Sequence, residues 1–380
     1  MAKATQKHVV ILEDSSKVSF GGGQRGTLEI IDVLEGQYQI HLFDTTTQSV
    51  FYRRAQEKLG TVHLLGGYGK IVGGHEAAFS VGLKEILLFP YYFVTNVAKL
   101  FYFLRKNGLK RTNTIFYTSC KKPLIFAAVL SYVTKVGYWY HARNYYNRAS
   151  PFYRFLRLVV RNATGIICVS QTVKDNLNAK RSTVIYNPIR LEDTKPLSAR
   201  SIQGRSPVVV AVFASLLPWK GIQYFMQSFP YLKHKDRVHY RIYGEGGERS
   251  NLERYTNRQV QLLGFTEHTD RLLADEIDIV CVPSVAEEAF GRVSVEGFKY
   301  GIPAITTNIG GQKEINLPDE VGFQVPIKDP AAIADRVDYF IDHPNKYEEM
   351  SHNALRYVKN FDFQSFRRSI LSLFESSFDT

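Results

Sequence analysis

Two glutamates with seven residues between them are the first candidates for chemistry in this chain. They are Glu288 and Glu296, within the segment that runs from Pro283 to Phe298. In one continuous helix they would lie ~80° apart around the axis and ~12 Å apart along it, so they would not touch. Gly291 between them instead predicts that Glu288 lies in a loop and Glu296 in the helix that follows. The carboxylates would then reach different parts of one elongated ligand, although the spacing alone favours two ordinary solvated acids.

Two glycine-rich turns follow predicted strands. Gly21, Gly22 and Gly23 open a predicted helix, where free backbone N–H groups attract anions. They do not form the G-x-G-x-x-G pattern, so the dinucleotide fingerprint is excluded, and a simple tight turn fits equally well. Gly244 begins the other turn, which alone is a weak signal for a nucleotide.

Two single residues stand at strand or helix ends. Lys220 begins a predicted helix, where a cation is unfavourable unless a phosphate binds there; the alternative is a solvated surface lysine. His141 ends a predicted strand and follows a tyrosine, a tryptophan and a second tyrosine. Taken alone, a histidine in such a run favours a core position over a site.

Short apolar runs alternate with longer helical stretches along the chain, which predicts parallel, doubly wound sheets. The stretch 191–206 is polar and interrupts the alternation, so it is interpreted as a linker. The fold class is therefore predicted to be α/β, with two Rossmann-like domains facing across a cleft. The domains are residues 1–190 and 207–362, and residues 363–380 form a last helix. Ligands of such sheets bind at the carboxyl ends of the strands.

In this order and spacing, the motifs resemble those of retaining glycosyltransferases of the GT-B fold, family 4. Glu288 and Glu296, with Phe290 and Gly291 between them, look like the family's E-x7-E signature. Three glycine-containing segments also resemble motifs of the family: Gly21–Gly23 resembles its N-terminal glycine loop, Lys220-Gly221 its phosphate-binding pair, and Gly244 its G-x-G turn. Gly310–Ile315 resembles the family's GG-x-x-E-I segment. Residues 363–378 resemble its last helix, which crosses back to the first domain.

The resemblance implies a role for each matched residue. Glu288, His141 and Lys220 are the predicted catalytic residues: Glu288 faces the donor sugar, His141 contacts that sugar or the reaction centre, and Lys220 stabilises charge on the leaving diphosphate. Glu296 would bind the ribose hydroxyls. The donor-binding residues are predicted to be Glu296, Gly21, Gly22, Gly23, Ser215, Gly244, Phe290, Gly291 and Arg292.

The diphosphate contact departs from the family pattern at one position. Ser215 stands where the family usually has an arginine, and a serine supplies a hydrogen bond but no charge. Diphosphate binding would then depend more on Lys220, on backbone N–H groups near Gly291 and on Arg292 or Arg25.

The implied activity is that of a retaining hexosyltransferase with a UDP- or GDP-sugar as co-substrate. The departing phosphate oxygen would itself take the acceptor proton, and attack on the leaving-group face would retain the anomeric configuration. The chain contains no Asp-x-Asp motif, so no catalytic metal and no further cofactor are expected.

Charge is distributed unevenly along the chain. Residues 1–190 hold 26 Lys and Arg against 10 Asp and Glu, and none of the 89 residues from 86 to 174 is acidic. Within this stretch, Pro90–Lys106 is rich in aromatic residues and flanked by cations, which is typical of interfacial helices. We expect an anionic membrane surface as partner and a lipid-linked or otherwise anionic glycan as acceptor, in the synthesis of a cell-surface polysaccharide or glycolipid.

Three widely spaced cysteines, Cys120, Cys168 and Cys281, favour a reducing compartment. The expected location is the cytoplasm, peripheral on the inner face of the membrane. Three alternatives remain open: a basic nucleic-acid-binding protein, an inactive glycosyltransferase-like partner protein, and a GT-B hydrolase or epimerase. The first has no known nucleic-acid-binding motif to support it, so no nucleic acid is expected among the partners.

Overall fold

The computed structural model describes residues 6–15, 20–66, 83–192 and 198–378. The described residues up to Val169, with Val173–Ile185 and those from Arg367 onward, form one compact unit. Ser170–Thr172 and the described part of Tyr186–Phe366 form a second unit. No helix in the part of the chain described here combines the length and the apolarity that crossing a bilayer requires.

The first unit is built on a parallel sheet. Its strands are β1 (His8–Leu12), β2 (Gln39–Asp44), β3 (Val62–Leu64), β4 (Thr114–Thr118), β5 (Gly137–Ala142), β6 (Gly165–Cys168) and β7 (Ser182–Val184). They pair in the order β3-β2-β1-β4-β5-β6-β7. The alternating helices are α1 (Gly22–Leu34), α2 (Val50–Leu59), α3 (Leu83–Lys106), α4 (Lys121–Thr134), α5 (Pro151–Val160) and α6 (Gln171–Leu177).

The second unit repeats this plan. Its strands are β8 (Val208–Phe213), β9 (Val238–Tyr243), β10 (Val260–Gly264), β11 (Ile279–Val282), β12 (Ala304–Thr307) and β13 (Gly322–Val325). Its helices are α7 (Ile222–Ser228), α8 (Arg249–Glu253), α9 (Thr269–Asp275), α10 (Arg292–Phe298), α11 (Gln312–Ile315), α12 (Pro330–Asp342), α13 (Pro344–Tyr357) and α14 (Phe363–Ser376), which continues into the first unit. The strands, all parallel, follow the order β10-β9-β8-β11-β12-β13.

Both sheets therefore share one strand order: third, second, first, fourth, fifth, sixth. The order reverses beside the first strand, and in such sheets the crevice for a ligand opens there, at the carboxyl ends of the strands. In the first unit this places the ends of β1 and β4 together, and in the second unit those of β8 and β11.

Helices cover both faces of the first sheet. Leu12 lies in register with Phe43 on one side and with Thr118 on the other, so these three residues share a face of the sheet. Phe103 of α3 packs against Phe43 on this face. Tyr117, one residue before Thr118, points to the opposite face. There Phe374 of α14 packs against it. The apolar strands are buried because both faces are covered.

The prediction of two parallel, doubly wound α/β domains is confirmed. The sequence pattern does not predict α2, because only Phe51 and Ala55 of this helix are buried and most of its other residues are polar. The described part of the predicted linker, from residue 198, packs onto the second unit. There the guanidinium of Arg200 donates to backbone carbonyls that include that of Leu273, at 2.9 Å, and Arg205 pairs with Asp278, also at 2.9 Å.

Candidate functional site

Glu288 lies in the loop between β11 and α10, whereas Glu296 lies within α10. Gly291 ends this loop in the left-handed conformation, at φ 90°, which a residue without a Cβ adopts without strain. Thr307 donates a hydrogen bond of 2.6 Å to the carbonyl of Ser284 and fixes the start of the loop. The arrangement of loop and helix that Gly291 predicts is therefore confirmed.

Lys220 and Glu288 form a buried ion pair. Lys220 Nζ lies 2.5 Å from Glu288 Oε1, and the side chains are 19% and 9% exposed. Ser284 Oγ donates to the same carboxylate oxygen. Lys220 thus comes from the turn after β8 and Glu288 from the loop after β11, the two neighbouring strands at which the order of the sheet reverses.

The turn that carries Lys220 lies directly on the Glu288 loop. The Val285 N–H donates to the Trp219 carbonyl at 2.9 Å. Gly221 follows at φ 65°, and a Cβ there would collide with the carbonyl of Pro283. Only glycine combines this backbone conformation with so close an approach.

A second turn supports the Glu288 loop from the other side. The Gly311 N–H donates to the Glu288 carbonyl at 2.7 Å, and a Cβ at Gly310 would lie 2.5 Å from that carbonyl oxygen. Gln312, which is fully buried, places its Nε2 3.5 Å from Glu288 Oε2 and accepts a hydrogen bond of 3.1 Å from Ser294 Oγ. The GG-x-x-E-I segment therefore shapes the surroundings of Glu288.

Burial and charge act on Glu288 in opposite directions. Burial by itself would raise the pKa of the carboxyl, but the Lys220 ammonium and the hydrogen bonds from Lys220, Ser284 and Gln312 hold that pKa below its usual value. Glu288 is therefore an anion at neutral pH, and its negative charge lies against the positive charge of Lys220.

The other residues predicted around the two glutamates have separate surroundings. Arg292 Nε lies 3.9 Å from Glu296 Oε1 along one face of α10, and both side chains are almost buried. Phe290 packs its ring against Tyr186 and Phe361, with centroids 5.9 Å away in each case. Its side chain therefore holds the Glu288 loop on the core, and a donor-binding role would fall to its backbone.

Ser215 and Gly244 lie on adjoining turns. A Cβ at Gly244 would collide with the carbonyl of Ala214, and one at Gly246 would collide with the carbonyl of Leu216. The glycines thus let the turn after β9 pack onto the turn after β8. Ser215 is exposed. Their assignment to the donor stays a prediction.

Gly21, Gly22 and Gly23 begin α1 in the first unit and are exposed. A Cβ at Gly21 or Gly23 would meet no atom within 4 Å, so no described neighbour requires glycine there. The open space leaves room for a ligand to approach the backbone, and the donor-binding role of these glycines stays a prediction. The Gly23 carbonyl accepts a hydrogen bond of 2.5 Å from Arg143 Nη1.

His141 ends β5 and is 1% exposed. Its Nδ1 lies 2.7 Å from Tyr117 Oη and 3.0 Å from Arg143 Nη2, and Arg143 Nη2 lies 2.9 Å from Tyr117 Oη. Its Nε2 is buried and makes no hydrogen bond within the described part of the chain. Burial, reinforced by the charge of Arg143, holds the pKa of His141 well below the ordinary value.

The sequence analysis missed the polar cluster beside His141. Glu13, at the end of β1, accepts hydrogen bonds from Thr27 Oγ1 at 2.7 Å and Cys120 Sγ at 2.6 Å. Burial raises the pKa of this carboxyl. Arg143 joins the cluster to His141, and Gly26 makes room for its guanidinium, since a Cβ there would lie 2.6 Å from Arg143 Cζ. The one sequence feature that could have indicated this cluster is the position of Arg143, two residues after His141.

Among the residues that the structure describes, no group of three or more His, Cys, Asp and Glu side chains could hold a metal ion. The prediction of metal-independent chemistry stays a prediction.

Residues 198–357 match the family model described as "Glycosyl transferases group 1". The matched segment contains Lys220, Glu288 and Glu296, so the Lys220–Glu288 and Arg292–Glu296 pairs both lie within it. The match covers the larger part of the second unit and none of the first.

Among curated proteins, the chain is similar to the phosphatidylinositol N-acetylglucosaminyltransferase GPI3 subunit of Saccharomyces cerevisiae (strain YJM789). The two are 30% identical over 186 residues, which are 44% of this chain and 40% of that protein. The matched region thus spans well under two thirds of the length of this relative.

Solved structures resemble the chain over nearly its whole length. Anabaena Alr3699/HepE in complex with UDP matches with a TM-score of 0.76 at 20% identity, covering 98% of this chain and all of that one. A glycosyltransferase from Rickettsia africae ESF-5 matches with a TM-score of 0.77 at 18% identity, covering 98% and 99%. The chain therefore has a two-domain GT-B fold, and the segment that matches the family model lies in its second unit.

Proposed function

We propose that the protein is a retaining glycosyltransferase of family 4, of the E-x7-E type, that moves a hexosyl group from a UDP- or GDP-sugar without a metal ion. The observation that carries this proposal is the buried Lys220–Glu288 pair within the segment that matches the family model. A buried ion pair is seldom the most stable solution for a core, so its presence at the reversal point of the sheet favours a functional use.

The pair suits the charges of a nucleotide-sugar donor. As the glycosidic bond breaks, negative charge grows on the β-phosphate, and Lys220 would stabilise it electrostatically. Glu288, kept as an anion, would accept hydrogen bonds from sugar hydroxyls and favour the positive charge that develops at the anomeric carbon. Glu296 would accept hydrogen bonds from the ribose. The uridine diphosphate bound by Alr3699/HepE supports a UDP-sugar over a GDP-sugar as the first donor to try.

We further propose that the acceptor is lipid-linked or anionic and that the first unit lies on the cytoplasmic face of a membrane. The outer side of α3 presents Tyr91, Val94, Phe101 and Tyr102, which fall within ~100° of one another around the helix axis. Tyr91, Val94 and Tyr102 are each about two-thirds exposed.

Two neighbouring helices also expose apolar side chains. Tyr132 of α4 is 78% exposed and Leu158 of α5 is 63% exposed, and α4 packs against both α3 and α5. Both of these helices, and α3 from residue 86 onward, lie in the stretch that has no acidic residue. Exposed aromatic residues among lysines and arginines suit the interface of an anionic bilayer. The phosphatidylinositol named for the GPI3 subunit supports a lipid acceptor.

The test measures binding and then turnover on the full chain. Thermal shifts with UDP, GDP and a panel of their sugars identify the donor, since a ligand of the native state raises the melting temperature. Release of the nucleoside diphosphate is then followed with extracted lipids as acceptors, in buffer with excess chelator. We expect one nucleotide to stabilise the chain and turnover to persist in chelator.

Variants assign the residues. His141→Ala and Glu288→Ala should each lower turnover at least about tenfold while the fold survives. Absence of any nucleotide-dependent shift, or turnover that requires a divalent metal, would contradict the proposed reaction.

A further inference from the structure

The hydrogen-bonding ring around His141 Nδ1 fixes where the imidazole carries its proton. Burial raises the pKa of Tyr117 far above its ordinary value, so its phenol keeps its proton. An arginine only donates hydrogen bonds, and Arg143 Nη2 lies 2.9 Å from Tyr117 Oη. The Tyr117 oxygen therefore accepts from Arg143, and its O–H donates to His141 Nδ1 at 2.7 Å.

Every neighbour of His141 Nδ1 is thus a donor. The other described group in contact with Nδ1 is Arg143 Nη2, at 3.0 Å. A guanidinium nitrogen also donates hydrogen bonds and accepts none. Nδ1 must accept, so the ring proton of the neutral imidazole lies on Nε2. That Nε2–H is buried and has no hydrogen-bond partner among the residues that the structure describes. A buried N–H group without a partner is costly, so it marks a place where an acceptor atom of a ligand or a bound water is expected.

We propose that Arg143 is a positioning residue that, together with Tyr117, holds His141 as the neutral Nε2–H tautomer, so that His141 donates a hydrogen bond to a substrate oxygen and accepts no proton during the reaction. The charged and titratable groups around the ring agree with this. The positive charge of Arg143 disfavours protonation of the His141 imidazole. Glu13 interacts electrostatically with Arg143 and Tyr117 but makes no direct contact with the imidazole.

The claim about the tautomer stands on the geometry of the first unit, whereas the claim about the substrate oxygen rests on the proposed function. Two measurements separate them. The first is nitrogen NMR of the full chain labelled at histidine, with the His141 resonances assigned by their loss in His141→Gln. We expect a protonated Nε2 and an unprotonated Nδ1 that do not titrate between pH 5 and 8.

Variants test whether Arg143 is responsible. In Arg143→Gln we expect the His141 signals to show a mixture of tautomers, because the Tyr117 hydroxyl that remains beside Nδ1 can both donate and accept a hydrogen bond. Tyr117→Phe should keep the Nε2–H tautomer, because Arg143 Nη2 still reaches Nδ1, and the double variant should lose it. Arg148→Gln is the matched control, since Arg148 also donates to backbone carbonyls of the first unit. An Nδ1–H tautomer in the parent, or His141 signals unchanged in Arg143→Gln, would overturn the proposal.

The second measurement is turnover with the donor identified by thermal shift. A glutamine can place an N–H near the position of Nε2 but cannot act as a base, so His141→Gln should retain activity within about tenfold of the parent, and His141→Ala should lose about a hundredfold. Arg143→Gln should lower kcat about tenfold with little change in KM, and Arg143→Lys should restore part of kcat.

Equal losses in His141→Gln and His141→Ala would reject the role as a donor even if the tautomer is found as expected. If the parent transfers no sugar at all, the proposed function fails, and the NMR result still decides the tautomer.

Discussion

Glu288 accepts hydrogen bonds from two sides at once: from the ammonium of Lys220, 2.5 Å away, and from the hydroxyl of Ser284. Both bonds meet at Oε1, which leaves Oε2 facing the amide of Gln312 at 3.5 Å. Oε1 of the carboxylate is therefore held by an ion pair and a hydrogen bond, whereas Oε2 is held only by a weak contact. Its orientation depends on three segments of the second unit, none adjacent in sequence.

Breaking the Lys220–Glu288 pair on one side should destabilise the protein. Lys220→Met leaves a buried carboxylate without its cation, and we expect the free energy of unfolding to fall by about 3–5 kcal/mol. The double variant Lys220→Met with Glu288→Gln removes both charges and should recover most of that loss. Turnover should stay abolished in both, as measured beside urea unfolding. Recovery of turnover in the double variant would contradict the catalytic role of the pair.

Gln312 should matter for turnover more than for binding. Gln312→Glu places a second carboxylate beside Glu288, which disfavours the anionic form of both groups. We expect kcat to fall about tenfold and the pH optimum to move upward, with the nucleotide-induced thermal shift retained. Gln324→Glu is the control, because Gln324 donates only to backbone carbonyls nearby. An unchanged kcat in Gln312→Glu would show that the 3.5 Å contact does not position Glu288.

Acid should weaken the first unit through three histidines. His8, His41 and His63 lie on neighbouring strands, with His8 Nδ1 3.1 Å from His41 Nε2, and Phe103 packs on His41 and His63. Burial, then the charges of His8 and His63, lower the pKa of His41 to about 4, and burial lowers the pKa of the other two.

The sign of the effect follows from which state binds protons. Below pH 6.5 these histidines bind protons in the unfolded chain, whereas in the native protein their lowered pKa keeps them unprotonated to lower pH. The free energy of unfolding should therefore fall between pH 6.5 and about 4. Urea unfolding across this range measures the slope. His41→Phe should flatten it, and His352→Gln, at an exposed position, should not. A slope equal in parent and His41→Phe would exclude the cluster as its source.

Membrane binding should depend on the exposed aromatic side of α3 and α4. We expect Tyr91→Ser, Tyr102→Ser and Tyr132→Ser combined to reduce co-sedimentation with vesicles that contain anionic lipid by about tenfold or more. The matched control is Tyr231→Ser with Phe265→Ser, each 64% exposed, in the second unit. Equal recovery of the parent on neutral and anionic vesicles, or equal losses in the two sets of variants, would reject this surface.

The sequence could predict the fold because its signals were local. Apolar strands such as Val208–Phe213 and breaks such as Gly291 mark elements without knowledge of the tertiary structure. The ion pair between Lys220 and Glu288 could not be predicted from the residues alone, because 68 residues separate them and only the sheet brings them together. Arg143 was missed for a different reason: its partners Tyr117 and Gly23 come from other elements, and an arginine after a strand carries no signal of its own.

Gly26 lies inside α1, where helix propensity argues against glycine by about 0.5–1 kcal/mol relative to alanine. The position that alanine would fill is occupied by the guanidinium of Arg143. A search for stabilising substitutions by helix propensity would therefore be misled at this position. Under the proposed role of Arg143, the first unit keeps a weaker helix so that the guanidinium can order the proton on His141.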